Sequence, residues 1–134
     1  MIFIHPEQGA VETFLQDYPR DTPVVMLNLL KFREQAEYPP EHQAEPCSGA
    51  EAYGRYGQAV EPLLKAHGAE QVWLGQPAAM LIGPQDKDWH LAILVRYPSA
   101  QAFVDMVTSP EYLAIVEHRT AALEDSRLIA HREL

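Results

Sequence analysis

The stretch Val24-Val-Met-Leu-Asn-Leu-Leu-Lys-Phe-Arg33 decides the fold. Its apolar residues follow neither the helical period of 3.6 residues nor strict alternation, and Pro23 precedes it. A short apolar run of this kind is typical of a strand that is buried on both faces. A second run, Trp89-His-Leu-Ala-Ile-Leu-Val-Arg-Tyr97, has the same character and ends at Pro98. The two runs therefore predict two central strands of one sheet.

Shorter elements are predicted around these two strands. They are a helix between Pro6 and Pro19, a helix from Ser48 to Gly68, short strands at 70–76 and 79–83, helices that begin at Ser99 and Ser109, and a last strand at 127–132. Ser48 and Glu51 have the spacing of a capping box at the start of the second helix. Apart from the first helix, the order is strand, helix, strand, strand, helix, strand.

This order predicts an α+β, ferredoxin-like (β-α-β-β-α-β) fold with an antiparallel sheet and helices on one face. Residues 1–134 form a single domain in this prediction, and residues 1–22 are an extra N-terminal helical extension. Residues 34–48 carry three prolines and four acidic residues and predict a long surface loop, either a lid or a mobile segment.

The predicted architecture leaves one face of the sheet without cover. The central strands are apolar on both faces, yet the fold places its helices on one face only. A chain of 134 residues holds no second layer of helices. The simplest cover is the same face of another copy, so we predict a two-fold homodimer whose sheets pack face to face.

Composition excludes several classes of partner. The chain has a formal net charge of −9, which disfavours binding to nucleic acid or to an anionic membrane. No apolar run approaches the ~20 residues that span a bilayer, and the first residues lack the pattern of a secretory signal. The single cysteine, Cys47, excludes an internal disulfide. These features predict a cytoplasmic protein that contacts neither nucleic acid nor membrane.

Several short motifs resemble those of an uncharacterised family, domain of unknown function 1330 (DUF1330). They are the stretch from Pro23 to Arg33, Ala52-Tyr53 with Tyr56, Tyr97-Pro98-Ser99 followed by Phe103, Ser109-Pro110-Glu111-Tyr112, and the segment from His118 to Ile129. The resemblance covers most of the chain from residue 23 onward.

This resemblance implies membership of the dimeric α/β barrel superfamily, in agreement with the dimer predicted from the strands. Relatives in that superfamily include cofactor-independent antibiotic-biosynthesis monooxygenases and proteins with isomerase, dehalogenase or haem-linked roles. The family itself has no established reaction, so the resemblance strengthens the fold and leaves the function open.

The sequence lacks the motifs of several enzyme classes. There is no dinucleotide fingerprint, no phosphate-binding loop and no zincin His-Glu-x-x-His. The six histidines show no spacing that would bring two of them to one metal ion on a helix or strand. We therefore predict no metal and no cofactor, and no visible absorbance from haem or flavin.

Asn28 interrupts a buried apolar strand, where an unpaired amide would cost about 1–3 kcal/mol. It either makes a structural hydrogen bond, to the backbone or to the other subunit, or holds a substrate oxygen in a cleft. Alternation along the later central strand places His90 and Arg96 on one face, towards the partner sheet and the cavity. The other face, under the helices, carries Leu91, Ile93, Val95 and Tyr97. Asn28, His90 and Arg96 are the candidate catalytic residues, although an intersubunit salt bridge would also explain Arg96.

A second group of side chains predicts a ligand-binding mouth. Antiparallel pairing brings Arg33, Trp89 and Arg127 to one end of the sheet, below the 34–48 loop, and favours a small anionic or aromatic ligand. Trp73 either lines the cavity or caps the sheet edge, and His118 is a surface residue or a general base. Lys31 and Arg33 differ in parity from Asn28, so solvated strand ends also explain them.

Residues on helical stripes are assigned to the core. Tyr53 and Tyr56 lie on the apolar side of their helix, which favours packing. Arg119 is predicted to pair with Glu124 or Asp125.

Two function hypotheses remain open. One is a small-molecule enzyme, cofactor-independent and monooxygenase-like or isomerase-like, acting in a cleft between sheet and helices. The other is a non-catalytic small-ligand-binding or interaction module.

Overall fold

The four strands form one antiparallel sheet in the computed structural model, which describes residues 1–42 and 45–134. The elements in chain order are α1 Ala10–Asp17, β1 Val24–Phe32, α2 Gly49–Ala66, β2 Glu70–Gly75, β3 Leu91–Tyr97, α3 Ala100–Val107, α4 Pro110–Leu113, α5 Val116–Ala122 and β4 Leu123–Arg132. The strand order in the sheet is β2-β3-β1-β4. This is the predicted ferredoxin-like arrangement, with the two apolar strands at its centre.

One face of the sheet packs under the helices. Val24, Met26 and Leu30 on β1 are at most 3% exposed, and Ile93 and Val95 on β3 belong to the same core. The alternation predicted for β3 is thus confirmed. On the opposite face, called here the outer face, Leu27, Leu29 and Leu94 are only partly buried. No helix of the described residues covers that face, and these leucines keep part of their surface exposed in the single chain.

Local signals explain where the longer helices begin. The Ser48 hydroxyl accepts from the Glu51 N–H and the Glu51 carboxylate accepts from the Ser48 N–H, each at 3.0 Å, so the predicted capping box is present. Gly49 follows because a Cβ there would lie 2.2 Å from the Arg33 carbonyl oxygen. At the start of α3 the Ser99 hydroxyl accepts from the Ala102 N–H, a single cap without the reciprocal bond.

Three element boundaries differ from the prediction. Residues 79–83 form no strand, because Pro77 and Pro84 bracket them and Gly83 has a φ of +148°. The helix after Ser109 is divided into α4 and α5. β4 begins at Leu123 rather than Arg127, because its regular pairing with β1 continues to Asp125 opposite Lys31 and then, across a bulge, to Leu123 opposite Phe32.

The first part of the 34–48 loop is bonded to the helix layer. The Glu37 N–H donates to the Ala121 carbonyl at 3.0 Å, and the Ala36 N–H donates to the Cys47 carbonyl at 3.0 Å. This part is therefore a strap across the end of α5. Gln43 and Ala44 of the predicted lid or mobile segment lie outside the described residues.

A buried carboxylate ties the N-terminus to β4. Asp125 is 4% exposed and accepts hydrogen bonds from the Phe3 and Ser126 N–H groups, Lys87 and Arg127, at 2.7 to 2.9 Å. We call these five residues the Asp125 network. Every partner of the carboxylate is a donor, so the buried negative charge is fully compensated.

Across residues 1–42 and 45–134, every helix is too short or too polar to cross a lipid bilayer.

Candidate functional site

Asn28 lies on the helix-covered face of β1. Its neighbours across the sheet are Ile93 on β3 and Leu128 on β4. The side chain is partly buried, and its amide makes one long hydrogen bond, 3.4 Å, to the Met26 carbonyl of its own strand. Within the described part of the chain, its amide oxygen accepts no hydrogen bond from the protein. Asn28 therefore retains hydrogen-bonding capacity next to the core.

Three tyrosines from two helices form a cluster in the helix layer. Tyr53 and Tyr56 are one turn apart on α2, with ring centroids separated by 5.3 Å. The Tyr56 and Tyr112 hydroxyls are hydrogen-bonded to each other at 2.9 Å. Ser109 fixes Tyr112 by capping the short helix α4. The Tyr53 ring packs on Phe32 at the end of β1, at 5.4 Å between centroids.

The hydroxyl of Tyr53 differs from those of the other two. No residue in the described ranges 1–42 and 45–134 bonds to it, and its oxygen is not sealed from solvent. Tyr56 is 9% exposed and has Tyr112 as a partner. Tyr53 therefore offers a free O–H donor at the edge of a buried aromatic cluster.

Arg119 on α5 supplies a positive charge to this cluster. Helix α5 packs against α2, and the charge of Arg119 acts to lower the pKa of both Tyr53 and Tyr56. One Nη donates to the Ile4 carbonyl at 2.8 Å. No carboxylate of the described residues pairs with Arg119. Four of its five N–H donors thus have no partner within that part of the chain.

The phenols of Tyr53 and Tyr56 remain protonated at neutral pH. Burial raises the pKa of Tyr53 to about 12, against the opposing effect of the Arg119 charge. Burial also raises the pKa of Tyr56 and of Tyr97, which lies on β3 below the helices. We use the name tyrosine cleft for Tyr53, Tyr56, Tyr112 and Arg119 in the helix layer, together with Asn28 on the face of β1 that the helices cover. Its side chains can donate hydrogen bonds to an anion but are poor proton acceptors.

The structure does not bring Asn28, His90 and Arg96 together. Arg96 pairs with Val25 in the sheet register and lies on the outer face, opposite to the face of Asn28. Its guanidinium binds Glu70 at 3.0 Å and Glu133 at 2.7 Å within the same chain. It therefore has its counter-charges in its own subunit and needs no ligand anion.

His90 is engaged by the backbone of β1. Its Nδ1 accepts from the Phe32 N–H at 3.0 Å, and its own N–H donates to the Leu30 carbonyl at 2.7 Å. The ring lies 5.9 Å from the Phe32 ring. His90 thus continues the β1–β3 pairing beyond the last residue of the strand ladder.

The predicted mouth at the sheet end is neutralised by acidic partners. Arg127 binds Asp125 and lies over Trp89, and Arg33 binds Glu37 at 3.3 Å. The Arg33 Nε is buried without a hydrogen-bond partner among the described residues. A cavity of about 220 Å³ beside Trp89 is lined by Asp86, Asp88, Glu124 and Asp125, against Lys31 and Lys87. Its charge disfavours an anionic ligand.

Trp73 lies on the outer face and is 53% exposed. A bulge between Gln71 and Trp73 gives these two residues opposite faces, and the indole covers Gly75. Trp73 therefore caps the β2 edge of the sheet, which is one of its two predicted roles, and faces away from the tyrosine cleft.

His118 packs with the strap and not with the tyrosine cleft. Its Nδ1 is 2.7 Å from the Tyr38 hydroxyl, which also accepts from Arg55 at 3.3 Å. His42 stacks on Tyr38 and bonds to Glu117. Burial lowers the pKa of His118, and the charges of His42 and Arg55 act in the same direction.

Four of the five residues of the tyrosine cleft were not candidates in the sequence analysis. Tyr53 and Tyr56 were assigned to core packing. That role accounts for their rings but does not account for their hydroxyl groups. Arg119 contacts neither Glu124 nor Asp125, and bonds to Ile4 instead. One signal was available: tyrosine in place of phenylalanine on the stripe brings a hydroxyl that needs a partner or a ligand.

Metal ligation finds no support in the geometry. Within residues 1–42 and 45–134, no three His, Cys, Asp or Glu side chains converge on a common point suitable for an ion.

The chain is similar to several solved structures. A protein of unknown function from Rhodopseudomonas palustris is 41% identical, with 100% of this chain and 98% of that chain covered and a TM-score of 0.90. A dimeric protein of unknown function from Bacteroides fragilis, with a ferredoxin-like fold, is 16% identical over 86% of this chain and 100% of that one, with a TM-score of 0.54. A candidate antibiotic biosynthesis monooxygenase from Bacteroides thetaiotaomicron is 15% identical over 84% and 90%, with a TM-score of 0.53. The last two likenesses concern the fold alone.

No curated protein matches the chain. A family model does match it, over residues 47–132, which is more than half of the sequence. The matched region includes α2, the whole sheet except β1, and the helices that carry Tyr112 and Arg119. The chain therefore belongs to the family described as Domain of unknown function (DUF1330).

Proposed function

We propose that the protein binds a small anionic or aromatic molecule in the tyrosine cleft and acts on it as a cofactor-independent enzyme, monooxygenase-like or isomerase-like. One observation supports this most directly: Arg119 and Tyr53 keep free donors beside a buried aromatic cluster, with no carboxylate partner in the described residues. A partly buried cation without a carboxylate partner attracts an anion, and an anionic ligand would supply the counter-charge. The rings of Tyr53 and Tyr56 would pack against an aromatic ligand.

The proposed chemistry is stabilisation of an oxyanion. An enolate or a phenolate carries its negative charge on an oxygen, which could accept from the Arg119 guanidinium and the Tyr53 hydroxyl. Fixed donors aimed at a developing charge are a strong source of rate enhancement. Isomerisation of a carbonyl compound and reaction of a phenol with dioxygen both begin from such an anion, and the proton lost in forming it would pass to solvent water. Asn28 would hold a second polar group of the ligand.

A non-catalytic ligand-binding module is the second candidate. It is favoured by the residues of the tyrosine cleft, which include no imidazole and no carboxylate that could remove a proton. Without a base, the cleft would hold an anion and leave it unchanged. Solvent deuterium exchange into a bound carbonyl ligand separates the two, because an isomerase-like enzyme exchanges the acidic C–H proton and a binding module does not.

The proposed functional unit is a homodimer formed through the outer face. Leu27, Leu29 and Leu94 stay partly exposed on that face in the single chain, in a sheet that carries its helices on the other side. A structural neighbour of the same fold is described as dimeric, which fits this arrangement. Light scattering in dilute solution is expected to give twice the chain mass of 15.1 kDa.

The ligand site is tested with benzoate, phenol and a naphthoquinone in a thermal-shift titration of the purified protein. At least one probe is expected to raise the melting temperature. Arg119→Met should weaken that binding by about 10- to 100-fold, because it removes a charge-assisted hydrogen bond. Tyr53→Phe should weaken it by about 5- to 10-fold.

Arg96→Met is the matched control, since it removes the same charge from the opposite face of the sheet. It should leave probe binding unchanged. Binding that survives Arg119→Met and Tyr53→Phe but is lost in Arg96→Met would move the site to the outer face and overturn the proposal. Binding of none of the three probe classes would contradict it as well.

A further inference from the structure

The segment between β2 and β3 displays two aliphatic side chains in water. Residues 76–85, called here the arm, include Leu81 at 89% exposure and Ile82 at 97%. The arm has a defined shape: the Gln85 amide donates to the Met80 and Gly83 carbonyls at 3.0 and 3.3 Å. A loop held in this conformation keeps Leu81 and Ile82 away from the core of its own chain.

The exposed apolar residues of the described chain are concentrated on the two edges of the sheet. Apart from the chain ends and Leu113 on α4, the exposed large hydrophobics are Val72, Trp73 and Leu74 on β2, Leu81 and Ile82 on the arm, and Leu128 and Ile129 on β4. β2 and β4 are the two edge strands of the sheet. One molecule thus carries an apolar surface along each edge strand. The two surfaces cannot contact each other within one chain, because β2 and β4 lie at opposite edges of the sheet.

A two-fold axis solves this geometric problem. When two sheets stack by their outer faces about an axis parallel to the strands, the β2 edge of one copy lies over the β4 edge of the other, and the contact is made twice. Charge is consistent with this contact. Residues 76–85 contain no charged side chain in a chain that is 22% charged, and Leu128-Ile129-Ala130 on β4 has none either.

We infer that the arm of each subunit crosses to a second copy of this chain and packs on Leu128 and Ile129 at the β4 edge. This inference rests on the homodimer of the proposed function and adds the segment that joins its two copies. Leu128 and Ile129 point to opposite faces of β4, so an arm that covers both wraps the edge of the strand.

The consequence for the site follows from the position of Leu128. It lies opposite Asn28 on the helix-covered face and is 44% exposed. The cleft is therefore open on its β4 side in a single chain. The partner arm closes this side with apolar side chains, so that ligand binding and dimer formation support each other.

Cross-linking tests the contact directly in the Cys47→Ser background. Ile82→Cys combined with Leu128→Cys is treated with a short bismaleimide and separated on a denaturing gel. We expect a covalent dimer in high yield. The matched control combines Ile82→Cys with Leu113→Cys, which is 59% exposed on α4. The single variants Ile82→Cys and Leu128→Cys show whether the same position in two copies can be cross-linked. The two single variants and the Leu113 control should stay mainly monomeric on the gel.

Mass measurements separate the inference from the dimer on which it rests. The double variant Leu81→Ser, Ile82→Ser should raise the dimer dissociation constant at least tenfold, whereas Leu113→Ser should not change it. A wild-type mass of 15.1 kDa overturns the dimer, and the exchanged arm with it. A wild-type dimer that is unaffected by the arm variant and forms no Ile82–Leu128 cross-link overturns the arm contact and leaves the dimer intact.

Discussion

The Asp125 network and the tyrosine cleft are both polar clusters beside the hydrophobic core, and they differ in how their hydrogen bonds are used. Four donors surround the Asp125 carboxylate, which is 5% exposed, and its charge is balanced by Lys87 and Arg127. In the tyrosine cleft, Tyr53 has no partner in the described residues and Arg119 binds only a backbone carbonyl. A satisfied cluster stabilises the fold, whereas unused donors are available to a ligand.

Because the Asp125 network is fully hydrogen-bonded, we expect the largest loss of stability from a substitution of Asp125. Asp125→Asn removes a buried charge and leaves Lys87 and Arg127 without their counter-ion, so the free energy of unfolding should fall by about 3 kcal/mol. Urea denaturation measures the change. Asp86→Asn, at an exposed loop position, is the matched control and should stay within about 0.5 kcal/mol of the wild type. If Asp125→Asn lost no more unfolding free energy than Asp86→Asn, the distinction between the Asp125 network and the tyrosine cleft would be wrong.

The pH dependence of the same variant provides a second measurement. Burial alone would raise the pKa of Asp125, but the hydrogen bonds from Phe3, Lys87 and Arg127 hold it well below its ordinary value of 3.8. A lowered pKa in the folded state means that the stabilisation is complete above the unfolded pKa and is lost as the pH falls towards the folded pKa. The stability difference between wild type and Asp125→Asn should therefore shrink below about pH 4.

A matched pair of tyrosines compares bonded and unbonded hydroxyls within the cleft. Tyr56→Phe leaves the Tyr112 hydroxyl without its partner and should cost about 1 kcal/mol of unfolding free energy. Tyr53→Phe removes a hydroxyl that bonds to no described residue, and it should change stability by less than about 0.5 kcal/mol. Both are read from urea denaturation. Equal losses would mean that Tyr53 has a structural partner and would weaken its role as a ligand donor.

The sequence predicted the architecture more fully than the site. Two apolar strands and the alternation along β3 were enough for the sheet, its helix-covered face and its open face. The ion partners of Arg96 and Arg127 were not predicted, because they depend on the strand register, which places Asp125 opposite Lys31. The Arg119 partner, Ile4, is 115 residues away in sequence.

Tyr53 shows a second limit of sequence reasoning. A tyrosine on an apolar helical stripe has the same periodicity whether its ring fills the core or its hydroxyl serves a site. The two residues differ in their hydroxyls: that of Tyr56, one turn further along α2, bonds to Tyr112, and that of Tyr53 bonds to no described residue. The strand predicted within the arm, residues 76–85, was wrong for a related reason. Its apolar residues have the sequence pattern of a strand, and only the three-dimensional structure shows that they are exposed.

The smallest expected effect concerns His118. Its hydrogen bond to Tyr38 forms in one protonation state of the ring, so it lies between the fully bonded Asp125 network and the unbonded donors of the tyrosine cleft. A neutral His118 ring can accept the Tyr38 O–H at Nδ1, and a protonated ring cannot. Burial, His42 and Arg55 lower the pKa of His118 below its ordinary value of 6.5. Because the folded pKa is lowered, this contribution to stability is complete above pH 6.5 and is lost as the pH falls below it. An NMR titration of the His118 ring, assigned with His118→Gln, should give a midpoint below 6.5. A midpoint at or above that value would mean that Glu117 outweighs burial, and that the strap is held most firmly by a charged imidazole.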